Sequence, residues 1–128
     1  YEGSHYRFGG VVVEPAGLDR RVEIWVGGRT RRSLRRAAEL GDGWIPFGLG
    51  RSDVAGMLGA AERRPAEIVL APDKPLDPAG DRDGATEVVR SYGALGATGL
   101  SLRFRHRSRE HYVEQLAAMA AVMADAES

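Results

Sequence analysis

Short apolar runs alternate with helical stripes along most of this chain, and that alternation restricts the fold more than any single residue does. Val22 to Val26 is a β-branched and aromatic run that reads as a strand. After Gly27 and Gly28, the positions Leu34, Ala37, Ala38 and Gly41 recur at helical spacing, and Gly41 ends the helix. Trp44 to Phe47 reads as a second strand. A helix follows with the stripe Val54, Met57, Leu58 and Ala61, capped by Ser52 or Asp53. Glu67 to Ala71 is a third strand, and a proline-rich loop separates it from a helix capped by Asp83, with the stripe Ala85, Val88, Val89 and Tyr92 and a stop at Gly96. Leu100 to Phe104 is a fourth strand. Ser108 then caps a last helix, with Tyr112, Leu116, Met119, Ala120 and Met123 expected inward.

Four strand–helix units in a row imply a parallel sheet with right-handed crossovers. Two α/β architectures accommodate them: an open doubly wound sheet and half of an eight-unit barrel. In both, ligands gather at the carboxyl ends of the strands. Residues 22–128 hold the four units. Residues 1–21 form an N-terminal extension, in which Phe8 to Val13 is open to reading as an extra strand and Pro15 to Arg20 as a loop. Opening on Tyr1 rather than Met, the chain is expected to be processed or trimmed.

Composition narrows the function classes. With 18 basic and 18 acidic residues, bulk attraction to nucleic acid or anionic lipid is absent, so neither partner is expected. No cysteine is present, which removes disulfides and thiol chemistry and agrees with a cytoplasmic protein. No apolar run approaches the roughly 18 residues that span a bilayer.

The most suggestive chemistry lies in "IWVGGRTRRSLRRAAELGDGW", from Ile24 to Trp44. A strand, two glycines and a helix start together make an anion site. Glycine admits a phosphate close to the backbone, and the first-turn amides and the helix dipole face it. Arg29 and Thr30 stand where side chains would complete the cradle. A plain tight turn needs the same glycines, and the spaced glycines of a P-loop or a dinucleotide fingerprint are missing. Arg31 shares a helix face with Arg35, and Arg32 with Arg36. These arginines read either as a solvated surface or as a basic rim around a phosphate. Arg103 and Arg105 share one face of the fourth strand. Arg103 is a weak candidate for an anionic substrate group, against a place in water beyond the strand end. Trp25 and Trp44 read as core or as pocket walls. His106 and His111 are too poorly spaced for a shared metal, so no metal is expected. "DPAGDRD", Asp77 to Asp83, lacks the ligand order of a calcium loop. No catalytic set is visible.

"VEIWVGGRTRRSLRRAAELGDGWIPFGL", with the flanks "YEGSHYRFGGVVVEP", "IVLAPDKPLDPAGDRDGA" and "HRSREHYVEQLAAMA", resembles the luciferase-like monooxygenase superfamily, especially its members that use the deazaflavin coenzyme F-420. The resemblance implies a TIM-type (β/α)8 barrel, of which this chain would be the C-terminal (β/α)4 half. It implies that Gly27, Gly28, Arg29 and Thr30 contact the phosphate of F-420 or FMN, with Asp42, Gly43 and Trp44 on the next strand near the same cofactor. The family's complete enzymes are about twice as long, so a partner is expected: a second copy, or a missing N-terminal half-barrel. The expected function is the cofactor-phosphate side of a flavin- or deazaflavin-dependent oxidoreductase acting on a small organic substrate, inactive alone. The rival expectation is a non-catalytic, self-associating half-barrel.

Overall fold

The computed structural model describes residues 1–12 and 21–126. It is an α/β fold: β1 (Trp25–Gly27), α1 (Arg31–Leu40), β2 (Gly43–Ile45), α2 (Arg51–Gly59), β3 (Glu67–Leu70), α3 (Arg82–Ala94), β4 (Gly99–Leu100) and α4 (Arg109–Ala126). The strands form one sheet in the order β1-β2-β3-β4, and every pairing is parallel. Strand order follows chain order without reversal. A parallel bridge between Leu76 and Phe104 continues the β3–β4 side beyond the strands.

Alternation along the strands sorts their side chains. Val26, Trp44, Ile68 and Leu70 point to one face and share a core with Leu34 and Ala37 of α1, Val54 and Leu58 of α2, and Tyr92 of α3. Three helices therefore cover the same face. Trp25, Gly43 and Glu67 meet on the opposite face, where a Cβ on Gly43 would come within 3.0 Å of the Trp25 ring and 3.1 Å of Glu67 Cβ. Among the described residues no helix covers this second face at β1, and Trp25 is 45% exposed there. Leu76, Ala85, Phe104, Met119 and Val122 build a smaller core that seats α4 against α3.

Most of the expected units appear where the pattern put them, with adjustments. Thr30 caps α1 through its hydroxyl, and Gly41 closes it. α2 starts earlier than a Ser52 or Asp53 cap implies. Its cap is Gly50, and Asp53, one turn in, accepts the Gly50 amide at 3.3 Å. α3 is capped by Asp81 rather than Asp83, because the Asp81 carboxylate receives the Gly84 amide at 2.9 Å. Ser108 does cap α4, accepting the His111 amide at 3.1 Å.

Two expectations fail. Residues 8–12 form no strand. The chain start is instead a small antiparallel turn, bridged at Glu2 and Arg7, in which the Tyr1 and Phe8 rings stack at 5.2 Å; Val13 and Pro15 to Arg20 lie outside the described residues. The second failure is most of the α4 stripe, of which Met119 alone is buried as expected while Ala120 is exposed. Its inward residues are Gln115, Met119 and Val122, while Tyr112, Leu116 and Met123 are 37–44% exposed. Gln115 was no apolar candidate, yet it is fully buried because every polar atom is used. Its Nε2 donates to Asp77 Oδ1 at 2.6 Å and to the Arg105 carbonyl at 2.9 Å, and its Oε1 accepts the Ala79 amide at 3.0 Å. This side chain pins the proline-rich loop to α4.

Candidate functional site

The carboxyl end of β1 turns sharply at Gly28, whose φ of +125° lies in the region open to glycine. A Cβ there would also sit 2.8 Å from Ser33 Cβ, so the turn and the first turn of α1 are fitted to each other. Ser33 knits the corner. Its hydroxyl donates to the Thr30 carbonyl at 2.7 Å and accepts from the Thr30 amide at 3.2 Å and from Trp44 Nε1 at 3.3 Å. Its amide in turn donates to Thr30 Oγ1 at 3.2 Å. Thr30 is thus the helix cap, with its hydroxyl already engaged. The amides of Arg31 and Arg32 precede the first intrahelical bond and have no partner within the helix.

This arrangement separates the expected site residues. Gly27, Gly28, Arg29 and Thr30 stand together at the carboxyl rim of the sheet. Asp42 does not join them. It precedes β2, at the amino rim, where its carboxylate accepts the Ile24 amide at 2.8 Å and pairs with Arg21. The Ile24 amide, and then Arg21, hold Asp42 below its ordinary carboxylate value despite an opposing desolvation cost. Gly43 begins β2 under the Trp25 ring. Trp44 is fully buried on the helix-covered face, so it walls no pocket, though its indole reaches the α1 cap through Ser33. The Asp42–Trp44 segment therefore clamps β1 to β2 and supports the cap from beneath, and it presents no group beside the Gly27–Gly28 turn except through Ser33.

The other basic residues divide. Arg31 and Arg35 line a groove of about 440 Å³ between α1 and α2, which neither Gly27 nor Gly28 lines. Arg29 turns toward the loop after β2, where a Cβ on Gly48 would stand 3.9 Å from its guanidinium. Arg103 lies beyond β4 at the same rim. Its guanidinium donates to the Asp73 carbonyl at 2.7 Å, and it lines a cavity of about 250 Å³ with Arg51, Tyr92 and Phe47. Arg51, Tyr92 and Phe47 were missed as site residues, although their places beyond β2 and on the α3 stripe were legible. The ion pairs among the described residues are Arg7–Glu2, Arg21–Asp42, Arg82–Asp125 and Arg109–Glu110, so Arg29, Arg51 and Arg103 keep their charge uncompensated by a carboxylate within pairing distance.

His106 Nδ1 lies 3.0 Å from the Phe104 carbonyl, and His111 packs beside Gln115. Among the described residues no three metal-ligating side chains cluster, and no helix is long and apolar enough to cross a membrane. Comparison with protein-family models, with curated proteins and with solved structures finds no match for this chain.

Proposed function

We propose that this chain is the C-terminal (β/α)4 half of a luciferase-like barrel and that it supplies the side of the site that holds the phosphate of coenzyme F-420 or FMN. Three features support the half-barrel reading. Strand order follows chain order, the first three helices share one face, and the other face carries the half-exposed Trp25. A closed barrel of eight such units turns that second face inward.

The observation that carries the cofactor reading is the Gly28 turn. Bare backbone at positive φ leads directly into a capped helix start at the carboxyl rim. Gly27, Gly28 and the amides of Arg31 and Arg32 fit a phosphate, with Arg29 beside them as counter-charge. Asp42, Gly43 and Trp44 do not fit a ring-binding role, since one is committed to Ile24 and Arg21 and another is buried under α1. The bound cofactor would supply hydride transfer or oxygen activation toward a small organic substrate. The residues of this chain would orient it by its anionic tail.

The test is a fluorescence titration with FMN and with reduced F-420. Saturable binding that weakens at least tenfold in Gly28→Val, with the helical signal of the chain retained, is the expected result. Undiminished binding in that variant contradicts the cradle.

A non-catalytic, self-associating module is the second reading. α4 carries Tyr112, Leu116 and Met123 in partial exposure beside its buried face, and the segment around β1 and the end of α1 carries the exposed Val22, Ile24 and Leu40. Apolar flanks at both ends of one sheet suit association with a second copy or a preceding half-barrel.

A further inference from the structure

The cavity between the loops that follow β2 and β3 has the composition of a small-anion site. Neither Gly27 nor Gly28 lines it. Its walls are apolar where Pro46, Phe47, Leu49 and Pro72 meet, and Phe47 is largely exposed at the mouth. Its polar lining residues are Arg51, Arg103, Tyr92 and Asp73.

We infer that this cavity binds a small organic monocarboxylate, with its carboxylate between Arg51 and Arg103 and its apolar part against Phe47 and Pro46. Asp73, which lines the cavity without pairing directly with either arginine, offsets one of the two guanidinium charges, and the single positive charge that remains matches a monoanion better than a phosphate dianion. The Arg103 fork is held in place from behind. One of its NH2 groups donates to the Asp73 carbonyl at 2.7 Å and reaches the Pro72 carbonyl at 3.4 Å, leaving further N–H groups for a planar oxyanion. Burial, followed by the Asp73 charge, pushes the Tyr92 phenol up, so it stays a protonated donor. At about 250 Å³ the space suits a ligand the size of a single ring with one carboxylate.

Sodium benzoate is the probe, titrated into the 15N-labelled chain at constant ionic strength. Saturable shifts of the Phe47, Leu49 and Asp73 amides are expected, with a Kd on the order of a millimolar. Arg103→Met and Arg51→Met should each weaken binding roughly tenfold, as the loss of a charge-assisted hydrogen bond implies. Arg51 is exposed on the first turn of α2, so its replacement tests the site without threatening the fold. Absence of saturable shifts overturns the assignment, as does undiminished affinity in Arg51→Met. Displacement of benzoate by equimolar inorganic phosphate overturns the carboxylate preference. Benzoate binding by a chain that binds no FMN supports the cavity and sinks the cofactor reading alone.

Discussion

The two faces of the same four short strands obey different rules. On the covered face, Val26, Trp44, Ile68 and Leu70 pack under α1, α2 and α3, and Trp44 has no exposed surface at all. On the other face Trp25 lies over a glycine with nearly half its surface in water, its indole nitrogen 3.2 Å from the Glu23 carboxylate. The two tryptophans stand on adjacent strands and differ in one respect, which is whether a helix lies above them. Burial, rather than residue type, decides what each contributes: the first face holds this fold together, and the second leaves Trp25 half in water.

Substitutions sharpen that contrast, beginning with the largest effect. Trp44→Ala removes a fully enclosed side chain and the indole bond to Ser33, and should cost about 3–5 kcal/mol in urea unfolding. Gly28→Val strains a positive-φ position and drives a Cβ into Ser33, for a loss of roughly 1–3 kcal/mol. Ser33→Ala deprives the Trp44 indole of its acceptor and the α1 cap of its reciprocal partner, and about 1–2 kcal/mol should disappear. Trp25→Ala should change stability by no more than about 1 kcal/mol. A Trp25→Ala loss as large as that of Trp44→Ala would show that something covers the second face in solution.

Acid probes the loops at the edges of the covered face. Asp42 is held low first by the Ile24 amide, and Asp77 first by the Gln115 side chain and then by the Gly80 amide. A carboxylate with a depressed folded value stabilises the fold while it is ionised. Both contributions are therefore complete well above 3.8, the ordinary value, and fade as pH falls through the lower folded values. The urea midpoint should decline over that acid range, and Asp42→Asn or Asp77→Asn should flatten the decline. A midpoint with the same acid slope in both variants would assign the effect elsewhere.

How legible the fold was depended on whether the chain itself supplies the neighbours. The stripe and stop of α1 were readable because the strands it covers are local, whereas its cap, Thr30, was read as a side chain of the anion cradle. The α4 stripe pointed elsewhere because apolar periodicity reports which side avoids water, not which side meets α3; Tyr112, Leu116 and Met123 stay partly exposed, with the Tyr112 ring set against Phe104 and His106. Gln115 was invisible to any hydrophobic pattern, since its burial depends on three partners distant in sequence. Asp42 was expected on the next strand near the same cofactor, although its position at the amino rim was available in the sequence. In a parallel sheet, a residue before a strand and a residue after its neighbour occupy opposite rims. Ser33 had a weak signal, three residues beyond Thr30 in the spacing of a capping box. The cavity of Arg51, Phe47, Tyr92 and Arg103 was not readable, because its walls come from four separate segments of the chain.

The most direct measurement is an amide map of the chain during titration with FMN. Saturable shifts confined to Gly27 through Arg32 are the predicted result. Shifts centred on Asp42 at the amino rim, or no saturable shift anywhere, would contradict the account.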